Sequence, residues 1–66
     1  MKNLKELRKK YHLTQKAMAR KMGITLSMYE KVEGGRVKAS AAFMRRLKAI
    51  FPDANIDEIF FASEQQ

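Results

Sequence analysis

Apolar residues recur along the chain at spacings of three and four, which places them on one face of a helix. No stretch shows the alternation of a strand, and no internal repeat is present. The pattern predicts an all-α fold, a single compact five-helix domain over residues 1–61 with a flexible tail at 62–66. The predicted helices are Leu4–Tyr11, Gln15 up to Gly23, Thr25–Glu33, Ala41–Phe51 and Ile56–Phe61.

Short polar residues mark where these helices begin. A side-chain oxygen that can accept a hydrogen bond from the first helical turn stands at Asn3, Thr14, Thr25, Ser40 and Asn55. Asn3 and Asn55 are each followed three residues later by a glutamate, the capping-box pattern. Gly23 can end the second helix in a left-handed conformation, and Pro52 ends the fourth.

The two helices on either side of Gly23 carry a specific pattern. Counted from Gln15, alanine is fifth, glycine is ninth, and apolar residues stand at the fourth, eighth, tenth, fifteenth and eighteenth places; these residues are Met18, Ala19, Met22, Gly23, Ile24, Tyr29 and Val32. With the flanking pairs Leu7-Arg8 and Gly34-Gly35 and the closing segment 56–60, the chain resembles the Cro/repressor (XRE) family over residues 4–60. The resemblance implies a lambda-repressor-like domain with a helix-turn-helix at helices 2 and 3.

The same resemblance implies that the second helix of the pair reads DNA, with its N-terminal residues at the base edges. The expected base contacts are Thr25, Leu26, Ser27, Glu30 and Lys31. Many family members carry a long glutamine or arginine where Leu26 stands, so one bidentate contact is missing here. Tyr29 replaces an aliphatic core residue, and we expect a buried ring with its hydroxyl at the edge.

Phosphate contacts are expected on both sides of this helix. The resemblance gives Gln15 a phosphate contact in the first turn of helix 2, where Lys16 adds charge. The loop after the recognition helix offers the bare N–H groups of Gly34-Gly35 and two cations. The expected phosphate contacts are therefore Gln15, Lys16, Gly35, Arg36 and Lys38. The resemblance also pairs Arg8 with Glu33 as a structural ion pair.

The last predicted helix is too short to bury all its apolar residues on one side. We expect Phe60 and Phe61 to form an exposed apolar patch, which is typical of an interface. Related small repressors dimerise at this place. The expected dimer interface is Ile56, Ile59, Phe60 and Phe61.

Composition and charge narrow the classes of partner and activity that the chain is expected to have. The net charge is +7 in 66 residues, every Lys and Arg lies at or before Lys48, and the segment from Phe51 onward carries only acidic charges. This asymmetry favours a polyanion partner over a merely solvated basic surface.

With no cysteine and one histidine, we expect no metal site and no cofactor. No nucleophile–base–acid set is recognisable, so we expect no enzyme activity. Neither a signal peptide nor a membrane span is recognisable, and we expect a cytoplasmic protein that joins the nucleoid when bound to DNA.

Two functions from different classes remain. The first is a sequence-specific, double-stranded DNA-binding transcriptional regulator, a repressor that binds an inverted-repeat operator as a homodimer. The second is an antitoxin-like or adaptor module whose main partner is another protein; an exposed Phe60-Phe61 pair and the apolar Leu26 favour it. Phages, mobile elements and host chromosomes all encode small repressors of the first kind.

Overall fold

The computed structural model describes residues 2–61, and these form five α-helices. The helices are α1 (Lys2–Lys10), α2 (Gln15–Met22), α3 (Leu26–Glu33), α4 (Ala41–Ile50) and α5 (Ile56–Phe61). No strand occurs in this range. The predicted all-α, five-helix fold is confirmed, whereas the tail at 62–66 lies outside the described residues.

Four helices begin where the sequence predicts. Thr14, Thr25, Ser40 and Asn55 each accept a hydrogen bond from the backbone N–H three residues later, at 3.0 or 3.1 Å. The fifth predicted cap, Asn3, is wrong because it lies inside α1. Its side-chain amide instead donates to the carbonyl oxygen of Glu58 at 2.6 Å, which joins α1 to α5.

Two helices end one residue earlier than predicted. α1 ends at Lys10, and Tyr11 lies in the following turn with its ring 4.6 Å from the Phe51 ring, centroid to centroid. α4 ends at Ile50, and Phe51 has left the helical region at φ −124°. The residue before a proline is disfavoured from helical backbone angles, which accounts for the earlier end of α4.

Every helix contributes to one apolar core. Its buried residues are Leu4, Met18, Ala19, Met22, Tyr29, Val32, Phe43, Leu47, Phe51, Ala54, Ile59 and Phe60. The Phe43 ring lies at the centre of an aromatic group, 6.3 Å from Tyr29 and 6.1 Å edge-on from Phe60. The expectation that Phe60 is exposed is therefore wrong, since its side chain is only 6% exposed.

The helices pack so that α2 contacts both α3 and α4, while α1 contacts α5 and α3. α1 and α5 thus close the domain behind the α2–α3 pair, which leaves the other side of α3 open. None of the described helices combines the length and the apolar character needed to cross a membrane.

Candidate nucleic-acid interface

The turn between α2 and α3 has the geometry of a tight helix-turn-helix. Gly23 is left-handed at φ 70°, as the sequence predicts. Its N–H donates to Arg20 O at 3.2 Å, and the N–H of Ile24 donates back to Ala19 O at 3.1 Å. These bonds satisfy carbonyls at the end of α2. Thr25 then caps α3, which begins at Leu26, so only three residues separate the two helices.

The inward faces of the two helices fix how α3 is presented. Ala19 is 2% exposed on α2, and its small side chain allows close approach of a neighbouring helix. Tyr29 and Val32 anchor α3 in the core, at 0% and 1% exposure. Because these anchors occupy one face, the opposite face of α3 is turned to solvent.

All five residues expected to contact bases lie on that open face. Thr25, Leu26, Ser27, Glu30 and Lys31 are exposed. The Thr25 oxygen accepts the capping bond from Met28 N–H, so its own O–H remains able to donate. Met28 is also exposed, at 43%, so its side chain flanks this face and lies outside the core.

A buried polar network holds α3 against α1 and α2. Arg8 Nε donates to Glu33 Oε2 at 2.9 Å and Nη2 donates to Oε1 at 3.1 Å, so the ion pair is present and bidentate. The two side chains are only 12% and 5% exposed. Arg8 Nη1 also donates to Leu13 O at 2.8 Å, and Gln15 Nε2 donates to Glu33 Oε1 at 3.0 Å. Glu33 therefore links three helices through charge-assisted hydrogen bonds.

The ionisation of this network follows from its contacts. Burial acts to raise the pKa of Glu33, but the donor groups around the carboxylate, Arg8 first and then Tyr29 and Gln15, outweigh it, and the net pKa lies below the usual value. The hydrogen bond to Glu33 raises the pKa of Arg8. Both groups are therefore charged at neutral pH.

Tyr29 lies beside this network with its ring completely buried. Its hydroxyl is also buried and makes no hydrogen bond to any other residue of the described range. Burial first, and then the nearby Glu33 carboxylate, raise the pKa of the phenol above its usual value. The expectation that the hydroxyl lies at the edge of the core is wrong, because the Tyr29 ring is directed toward Phe43 and the Arg8–Glu33 pair.

Of the residues expected to contact phosphate, four have side chains that reach the surface, whereas Gly35 is expected to contribute its backbone N–H. Lys16, Arg36 and Lys38 are exposed on either side of α3 along the chain, and Gln15 is half-buried in the first turn of α2. Gly35 does not offer the expected bare N–H, because this group donates to Val32 O at 3.1 Å. The Gly34 N–H is likewise used, in a bond to Glu30 O at 2.9 Å.

Two basic residues of α4 have roles that their helical position does not reveal. Arg46 Nη1 donates to Met22 O at 2.9 Å and so satisfies the end of α2, 24 residues away in sequence. Lys48 Nζ donates to Ala54 O at 2.6 Å. From the sequence, both belong to a solvated face of α4. Only the packing of α4 against α2 brings Arg46 to the turn of the helix-turn-helix.

An apolar groove of about 220 Å³ runs beside α3. Its apolar lining includes Ile24, Met28, Val32, Val37 and Phe43, and Lys38 and Arg46 contribute basic groups. Met28 and Val37 are 43% and 37% exposed, so apolar surface continues from the groove to the protein surface.

The four residues expected at a dimer interface are not all on the surface. Ile59 and Phe60 are buried in the core at 7% and 6% exposure, Ile56 is half-buried, and Phe61 is 36% exposed. The surface that α5 offers to a partner is therefore smaller than the sequence predicts. Within residues 2–61 no cluster of histidine and carboxylate side chains could hold a metal ion.

Comparison with known families gives one match. A family model described as "Helix-turn-helix" matches residues 4–58, which is more than half of the chain and contains both α2 and α3. Searches of curated proteins and of solved structures gave no match.

Proposed function

We propose, from the premise that this chain belongs to the Cro/repressor (XRE) helix-turn-helix family of DNA-binding regulators, that it is a repressor which binds an inverted-repeat operator as a homodimer. The observation that carries this proposal is the open face of α3. That face carries short polar, acidic, basic and apolar side chains. On the opposite face of the helix, Tyr29 and Val32 are buried in the core.

A helix of this kind fits the major groove, where each base pair presents a distinct pattern of donors and acceptors. Lys31 can donate to guanine O6 or N7, and Glu30 can accept from the cytosine amino group. Leu26 can pack on a thymine methyl group, while Ser27 and Thr25 can donate or accept. Sequence preference would come from these five exposed residues.

Phosphate contacts would fix the position of α3 on the duplex. We assign them to Gln15, Lys16, Arg36 and Lys38. Gly35 drops out, since its N–H is bonded to Val32 O. The acidic residues of α5, Asp57 and Glu58, favour an orientation in which that helix points away from the DNA.

The proposed dimer has a physical reason. One α3 offers few base contacts, and Leu26 lacks the bidentate bonds of a longer polar side chain. Two copies related by a twofold axis would double the readout over half-sites about 34 Å apart. Phe61 is exposed and Ile56 is half-buried, so Phe61 is the main apolar side chain that α5 offers for this contact. Bound across a promoter, such a dimer would exclude polymerase.

The assignment of roles can be tested with single alanine variants on a duplex selected by the protein. Lys31→Ala should cost about 1–3 kcal/mol and relax the preference at one base pair, because it removes a base contact. Lys16→Ala should weaken all sequences equally and reduce the salt dependence of binding by roughly one phosphate contact. Lys5→Ala removes the same charge from the exposed face of α1 and serves as the matched control. Identical behaviour of all three variants would contradict the assignment.

A protein partner is the second candidate, favoured by the exposed apolar side chains of Leu26, Met28 and Val37, which are 38%, 43% and 37% exposed. Under this alternative the protein would recover one stoichiometric partner from its source cells. A Leu26→Ala/Lys31→Ala variant that binds no selected duplex would still recover that partner. Loss of both activities together would count against it.

A further inference from the structure

The Tyr29 hydroxyl is the one buried side-chain polar atom without a hydrogen-bond partner in the described part of the chain. The whole side chain is 0% exposed, so water does not reach it from the surface. A buried hydroxyl without a partner lowers stability, and phenylalanine would fill the same space without that cost. An unsatisfied group of this kind in a folded domain calls for a physical explanation.

The nearest acceptor along the helix already accepts three hydrogen bonds from other residues. Glu33 lies four residues after Tyr29 and therefore on the same face of α3. Its Oε1 accepts from Arg8 Nη2 at 3.1 Å and from Gln15 Nε2 at 3.0 Å, while Oε2 accepts from Arg8 Nε at 2.9 Å. Of these donors, Arg8 is fixed by two further contacts, to Oε2 and to Leu13 O. The Gln15 side chain makes one hydrogen bond within the described residues, and it lies at the start of α2, where it is half-buried.

We propose that Glu33 exchanges one donor for another when DNA binds: the Gln15 amide leaves Oε1 for a phosphate oxygen, and the Tyr29 hydroxyl takes its place. This inference rests on the proposed function, because it needs a phosphate beside the first turn of α2. Tyr29 is then a positioning residue, which acts on DNA through Glu33 and Gln15 without touching it.

The exchange leaves the number of hydrogen bonds that Glu33 accepts unchanged. One bond from Gln15 to the carboxylate breaks, one from Gln15 to a phosphate forms, and one from Tyr29 to the carboxylate forms. Each involves a charged acceptor and belongs to the stronger class of hydrogen bond. With phenylalanine at position 29 nothing replaces Gln15 on Glu33, so the release of Gln15 leaves the buried carboxylate short of a donor.

The test is a double-mutant cycle. Wild type, Tyr29→Phe, Gln15→Ala and the double variant are titrated against one labelled duplex enriched by the wild-type protein. Tyr29→Phe should weaken binding roughly tenfold, the equivalent of one charge-assisted hydrogen bond, when Gln15 is present. It should have no effect in the Gln15→Ala background. The unfolding midpoint of Tyr29→Phe should not fall, because the lost hydroxyl has no partner in the free protein.

Tyr11→Phe is the matched control, since it removes a hydroxyl from an exposed tyrosine outside α3 and should bind like wild type. In wild type the side-chain amide resonances of Gln15 should also shift on adding the duplex. Unchanged affinity of Tyr29→Phe, or an equal loss in both Gln15 backgrounds, would overturn the inference while leaving the proposed function intact. A wild-type protein that enriches no duplex would overturn the proposed function and this inference with it.

Discussion

Glu33 is the residue at which α1, α2 and α3 are joined. Its carboxylate accepts three hydrogen bonds from Arg8 and Gln15 while its side chain is 5% exposed. A charge this deeply placed is tolerated only because its lone pairs are satisfied. The orientation of the recognition helix α3 therefore depends on a polar contact as well as on apolar packing.

Removal of Arg8 should be severely destabilising. Arg8→Met leaves the Glu33 carboxylate buried without its main partner, and we expect a loss of about 3–5 kcal/mol in the free energy of unfolding. The double variant Arg8→Met/Glu33→Met should recover a large part of that loss, because no charge is stranded. Urea denaturation of both variants measures the difference. A loss below about 1 kcal/mol for the single variant would show that the pair behaves as an exposed one.

Acid should destabilise the domain partly through Glu33. Its pKa in the folded protein lies below its value in the unfolded chain, about 4.3. The stability it contributes is therefore complete above the unfolded pKa and is lost as the pH falls through the folded pKa. Denaturation between pH 7 and pH 2 should show a steeper loss for wild type than for Glu33→Gln. Parallel pH profiles would contradict this role for Glu33.

At the scale of the element, the ends of the helices decide the geometry of the site. Gly23 and Gly35 are both left-handed, at φ +70° and +81°, but their surroundings differ. A Cβ at Gly23 would lie 3.0 Å from Arg46 Nη1, which bonds Met22 O, whereas a Cβ at Gly35 would meet nothing within 4 Å.

Gly35→Ala should therefore cost only the left-handed penalty of about 1–2 kcal/mol. Gly23→Ala should cost about 1 kcal/mol more, because it also displaces a hydrogen bond that closes α2. Urea denaturation of the two variants gives this difference directly. Equal losses would mean that Arg46 contributes nothing to the turn.

The end of α1 offers a stabilising change. His12 has a positive φ of 58°, in a turn where its N–H donates to Lys9 O and that of Leu13 donates to Arg8 O. Glycine adopts this conformation without the Cβ penalty and is the usual residue at such a helix end. His12→Gly should raise the free energy of unfolding by about 1 kcal/mol. A thermal or urea midpoint lower than that of wild type would contradict the prediction.

At the scale of the whole molecule, local sequence features predict the elements well. Thr14, Thr25, Ser40 and Asn55 cap helices where expected, because an N-cap depends on residues within one turn. The all-α fold and the family membership follow from spacing and flanks together. The residues expected to contact bases are exposed, as their helical position requires.

Contacts between distant residues account for what the sequence does not reveal. Asn3 bonds to the carbonyl of Glu58, and Arg46 bonds to that of Met22, over separations of 55 and 24 residues. Phe60 is buried because Phe43 lies where α5 packs, which helical periodicity within α5 cannot show. The amide of Gly35 is used because the chain turns back on α3.

Basic and acidic residues are unevenly distributed along the sequence. All 14 Lys and Arg residues lie before Phe51, and α5 carries Asp57 and Glu58 without a Lys or Arg. Such an asymmetry favours a polyanion partner. Charge alone gives affinity without sequence, whereas the exposed residues of α3 would supply sequence preference.

The most direct test of the central claim is selection from a random pool of double-stranded DNA, sequenced after several rounds at about 150 mM salt, where exposed charges are well screened. A sequence-reading homodimer should enrich an inverted repeat with half-site centres about 10 base pairs, one helical turn, apart. Retention of the pool without any enriched sequence would show that the basic surface only grips phosphates, and would contradict the proposal that this protein is an operator-reading repressor.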